Sequence, residues 1–135
     1  MKKTIDELLL TPYRIIDILP KRVPKDSPGQ YFPIASYLEK NRMQRIKEKQ
    51  TDLILKLNCY KAISINDEEE INPPVEKIVE AMEKEYVFFR VDEAMILAEA
   101  EDTHMTLFNP DEELLDLIKT LAKGEGLFVW KPEEE

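Results

Sequence analysis

Proline punctuates this chain and decides where a helix or strand can run. Pro12, Pro20, Pro24, Pro28 and Pro33 crowd its first quarter, and each removes a backbone donor and obstructs a helix interior or a central strand. Thr4-Ile5-Asp6-Glu7 has the form of a capping box, Thr4 as cap and Glu7 three residues on. A helix is therefore expected there, held by Pro12 to about two turns. Residues 13–19 read as a short strand, and Pro20, Pro24 and the Ser27-Pro28-Gly29 turn give an irregular connection after it. Pro33 suits the first turn of a helix, predicted over 33–50 with Ile34, Leu38, Met43 and Ile46 as its apolar stripe.

Residues 52–65 read as an extended strand, or a strand with a bulge, because Leu53, Leu55, Leu57 and Cys59 alternate. Continuation of the preceding helix to Leu57 is the rival, since a short apolar run fits either period. Pro73 and Pro74 open a helix carrying Val75, Ile78, Val79 and Met82 to residue 84. A strand is predicted over 86–91. Two hairpin arms follow over 95–99 and 105–108, around Glu101-Asp102-Thr103. After Asn109-Pro110, a helix over 111–122 has acids in its first turn, Lys119 and Lys123 near its end, and Gly124 as its natural stop. A strand over 127–130 and a frayed acidic tail over 132–135 complete the chain. The expected architecture is a single α+β domain over 1–135, with no linker or repeat. It has a mixed or antiparallel sheet of about five or six strands, packed with three main helices as a single layer pair.

Charge is divided along the chain. Residues 1–62 hold 13 Lys and Arg against 7 Asp and Glu, whereas residues 63–135 hold 6 against 21, for a net charge of −9 over all 135 residues. Such a division bears on partners and solubility rather than on fold. With 35% charged and 43% apolar residues, the composition suits a packed core under a charged surface and argues against disorder. The three glycines, Gly29, Gly124 and Gly126, form no phosphate-cradling cluster. Two acids interrupt the basic start and no apolar run approaches the roughly 20 residues of a membrane span, so a cytoplasmic protein without export signal or membrane contact is expected. The lone Cys59 is expected as a reduced, buried thiol.

Three groups of side chains are candidates for function. Glu99, Glu101 and Asp102 stand near His104, the one histidine, and offer ligand types for a metal or an acid/base pair. One histidine with no second His or Cys is poor metal-site arithmetic, and polar residues are expected at a hairpin tip in any case. Cys59 and the serines at 27, 36 and 64 lack the context of a nucleophile. Lys40, Arg42, Arg45, Lys47 and Lys49 form a basic patch able to meet phosphates, although a charged outer face is the default for a surface helix. Asp67, Glu68, Glu69, Glu70, Glu76, Glu80 and Glu83 form an acidic face suited to a basic partner, solubility being the plainer use. No motif names an activity and no cofactor is implied. The expectation is a non-enzymatic protein-binding module, acting through the acidic face on a basic protein, as an inhibitor or immunity-type protein would, or through self-association. Nucleic-acid binding through residues 40–49, and a small enzyme or metal protein using residues 99–104, are the alternatives.

Overall fold

The computed structural model describes residues 3–132. Its elements are α1 (Ile5–Leu8), β1 (Tyr13–Asp17), α2 (Tyr31–Asn41), α3 (Met43–Tyr60), β2 (Ser64–Ile65), α4 (Val75–Met82), β3 (Tyr86–Val91), β4 (Ala94–Glu99), β5 (Met105–Phe108), α5 (Glu112–Gly124) and β6 (Phe128–Trp130). The strands form one open sheet in the order β2-β3-β4-β5-β1-β6, antiparallel at every pairing. This is an α+β fold. No helix among the described residues is long and apolar enough to cross a membrane.

Alternation along the strands gives the sheet two unlike faces. Val87, Phe89 and Val91 of β3, Ala94, Ile96 and Ala98 of β4, and Met105 and Leu107 of β5 point to one side. There they enclose the main core with Leu53, Ile54 and Leu57 of α3, Ile78 of α4, and Leu114 and Ile118 of α5. α3 lies between α4 and α5. The opposite face has a lighter cover, in which Leu8 of α1 packs on Met95 and Phe108. Across that face the register aligns Phe88, Leu97, Thr106, Ile15 and Trp130 in one row.

Local signals account for the element ends. The Thr4 hydroxyl accepts the Glu7 amide at 3.1 Å and the Glu7 carboxylate accepts the Thr4 amide at 3.0 Å. The helix they cap nevertheless spans a single turn, because the Thr11 hydroxyl and amide both close on the Leu8 carbonyl. Asp111 caps α5 by accepting the Leu114 amide at 2.8 Å. Gly124 is the last residue of α5, with Glu125 as its C-cap. Gly126 supplies the left-handed residue, at φ +75°, that lets the Leu127 amide return to the Ala122 carbonyl.

Two predicted elements are corrected. The helix expected over 33–50 is two helices, broken at Arg42 (φ −127°, ψ 3°). The strand expected over 52–65 is the second half of α3, which runs to Tyr60, and only Ser64–Ile65 is extended. Ile46, Gln50, Leu53, Ile54 and Leu57 are buried at helical spacing, while Leu55 is half-buried and Cys59 is exposed. The alternation at 53, 55, 57 and 59 was a coincidence of composition, and the expectation of a buried thiol falls with it. The tail at 133–135 lies outside the described residues.

Leu53→Ala is therefore expected to lower stability by about 2–5 kcal/mol, through lost burial and the cavity left behind. Cys59→Ser should stay within about 0.5 kcal/mol of the parent. Urea denaturation measures both, and a loss at Cys59 comparable to that at Leu53 contradicts the helical phase of α3.

Candidate functional site

The residues at 99–104 are divided by the fold. Lys47 of α3 donates to the Glu99 carbonyl and to Gln50 Oε1, each at 2.6 Å. Gln50, 1% exposed, donates to the Asp102 carbonyl at 3.3 Å, so its buried amide uses both its acceptor and its donor. These bonds pin the β4–β5 connection to α3. The neighbouring Asp102 carboxyl holds the Glu99 carboxyl above its ordinary pKa, with burial adding to the effect. Glu99, Glu101 and Asp102 border a shallow acidic hollow with Glu83, Glu85 and Tyr86. His104 instead faces a separate cleft, and its Nδ1 stands 3.9 Å from Asp102, beyond hydrogen-bond range. Among the described residues no three His, Cys, Asp or Glu side chains converge as metal ligands would.

The basic residues at 40–49 do not share one face. Lys40 closes α2, and the Arg42 guanidinium lies 5.2 Å from the centre of the Tyr37 ring. Arg45 and Lys49 sit on α3, where Lys49 reaches toward Gly126. Lys47 is turned inward on the opposite flank, and burial lowers its pKa against the pull of Asp102 and Glu99. Helix phase and the break at Arg42 thus disperse what reads as one cluster in sequence.

The acidic residues are more coherent. Asp67 is committed internally, pairing at 2.9 Å with the buried Arg90. Lys77 of α4 binds Glu68 at 2.9 Å and Glu70 at 2.7 Å, which draws the 66–70 loop against that helix. Glu76, Glu80 and Glu83 follow at i, i+4 and i+7 on one exposed side of α4 and, like Glu69, have no ion-pair partner among the described residues. Beside them a groove of about 520 Å³ separates α3 from α4, with Leu55, Val79 and Met82 as its apolar surface, Glu48, Asp52 and Glu83 as its acids and Lys47 as its one cation.

His104 lines a cleft that no sequence motif marks. It opens where β1 and β6 end, under the 18–30 connection and the start of α2. Ile15 and Trp130, paired in the ladder, form its floor, with Asp17 on the same face one pleat along. The Asp17 carboxylate accepts the Ile18 amide at 2.7 Å. Burial still pushes its pKa up, overriding the lowering by that bond, by the His104 charge and by the Trp130 indole. The indole Nε1 is itself buried without a hydrogen-bond partner, near enough to favour the anion but short of a bond. The signal present in the sequence was an acid inside the apolar run 15–19, at a strand position that proves half-buried.

No protein-family model, no curated protein and no solved structure matches this chain.

A carboxyl whose folded pKa is raised binds its proton more tightly in the native state, so its contribution to stability falls as pH climbs from the ordinary aspartate value through the folded one. Asp17→Asn should therefore stabilise the fold at pH 7, with the gain shrinking on acidification and gone below the ordinary aspartate pKa. Urea midpoints across pH 3 to 8 read this out, and a variant less stable at neutral pH contradicts the assigned environment.

Proposed function

We propose that this chain is a non-enzymatic protein-binding module whose acidic α3–α4 side receives a basic protein partner. The observation that carries the reading is the groove between these helices. Apolar surface from Leu55, Val79 and Met82 lies among the carboxylates of Glu48, Asp52 and Glu83, with Glu76 and Glu80 continuing the acid outward, while the one lysine of the lining, Lys47, commits its ammonium to Gln50 and the Glu99 carbonyl. Residues 66–85 hold eight carboxylates against two lysines. Unpaired carboxylates one turn apart, such as Glu76 and Glu80, repel each other by a few tenths of a kcal/mol, and that cost is relieved by a cationic partner. The apolar surface supplies contact area, while the acids steer encounter and fix orientation.

The partner is a basic protein face presenting Lys or Arg around an apolar ridge. This is the relation an inhibitor of a nucleic-acid-processing enzyme would use. An exposed, unpaired Cys59 suits a reducing compartment and action in the cytoplasm. Dispersal of the cations at 40–49 speaks against nucleic-acid binding through that segment. The separation of His104 from Glu99 and Glu101 speaks against an acid/base site built on those residues.

Cross-linking in the native cell, followed by binding measurements with the identified partner, tests this. The expected partner is basic (pI above about 9), with affinity that falls as salt rises. E76K/E80K/E83K should weaken it at least about tenfold, while K40E/R42E/R45E leaves it within about twofold. An acidic partner, or loss with the second variant and not the first, overturns the reading.

A further inference from the structure

The cleft over β1 and β6 has a chemistry opposite to that of the α3–α4 groove. It has two lobes that share Asp17, Leu19, Val23, Tyr31 and His104 among their walls. The outer lobe, about 400 Å³, adds Lys21, Lys25 and Trp130. The inner lobe, about 280 Å³, is closed by Ile18 and by Ile34, Ala35 and Leu38 of α2. These sizes lie in the range of small-molecule sites, and an apolar chamber with a few convergent polar groups is the usual form of one.

The outer lobe carries its cations at the mouth. Lys21 and Lys25 are exposed there and have no ion-pair or hydrogen-bond partner among the described residues. The one carboxylate in the lobe, Asp17, is half-buried on the floor beside the Trp130 indole and accepts the Ile18 amide. Two cations at the rim without an anionic partner favour an anionic headgroup. The inner lobe calls for an apolar body.

α2 supports the same conclusion from packing. It has 11 residues and none of them is buried, with Ile34 54% and Tyr31 44% exposed. A helix of this length is marginal without tertiary contacts, and a guest in the inner lobe would supply the missing apolar contact along Ile34, Ala35 and Leu38.

We propose that this cleft binds a small amphiphilic monocarboxylate, its carboxylate held between Lys21 and Lys25 at the mouth and its hydrocarbon body lodged against α2. The site is independent of the acidic groove, and a substitution in one leaves the other intact.

Calorimetric titration of the full chain with decanoate tests the assignment, with hexanoate, decanol and decylamine as comparisons. Decanoate should bind saturably at one site per chain. Each methylene from hexanoate to decanoate should tighten binding by up to about fourfold, and decanol and decylamine should each bind at least about tenfold more weakly. K21E/K25E should weaken decanoate at least about tenfold. Ala35→Trp fills the inner lobe from a helix that buries nothing, so the fold survives, as near-ultraviolet circular dichroism checks, while decanoate binding is lost. E76K/E80K/E83K should leave decanoate affinity unchanged. Non-saturable uptake, equal affinity for decanol or decylamine, or indifference to A35W each overturns the proposal.

Discussion

Everything else in the molecule is arranged around the burial of α3 against the sheet. Leu53, Ile54 and Leu57 are 0% exposed, and α4 and α5 pack on either side of the same helix. Fully burying three such side chains contributes on the order of 5–9 kcal/mol before the entropy of ordering them is set against it. That compares with the whole stability of an ordinary domain. Because the burial is rotationally specific, it also fixes which flank each polar residue of α3 occupies. Lys47 and Gln50 are brought to the β4–β5 connection, Glu48 and Asp52 to the α4 side, and Lys56 to Glu125 after α5.

A sheet whose core-forming helices α3, α4 and α5 all lie on one side leaves the other side unevenly protected. α1 is a single turn and its Leu8 reaches Met95 and Phe108. The rest of the row from Phe88 to Trp130 is half-buried. At the β1–β6 end the cover comes from the proline-rich 18–30 connection, of which Ile18 packs against the main core, and from α2, which buries no residue. A cleft at that end follows from having an aromatic floor and a roof with little core of its own. Proline makes the roof feasible, since it lowers the entropy lost on ordering an irregular segment.

Legibility in the sequence tracked how local the determining interaction was. β3, α4 and α5 were readable because their own periodicity and capping residues carry the information, as at Asp111 and along Val87, Phe89 and Val91. α3 beyond residue 50 was misread because adjacent leucines and isoleucines satisfy both periods. The choice between them is made by distant partners, Ile78 on α4 and Leu114 and Ile118 on α5. The break at Arg42 was equally silent, having neither glycine nor proline to mark it. The acidic face was legible as composition and the groove beside it was not, since Asp52 and Leu55 of its opposite wall belong to the part of α3 taken for a strand. The cleft was invisible for a plainer reason. Its walls come from residues near 15–38, from His104 and from Trp130, and no spacing rule links positions so far apart.

The charge division along the chain is also recast by folding. The cations of the first half are not gathered into one patch: Lys47 turns inward, Lys49 and Lys56 reach toward the turn after α5, and Lys21 and Lys25 border the cleft. The acids of the second half are joined at the groove by Glu48 and Asp52 from the first. Polarity in this protein is therefore set by helix phase and strand face, not by the order of residues. One side offers unpaired acceptors beside apolar surface, and the other offers unpaired donors beside an apolar chamber. Core and helix layer separate the two surfaces.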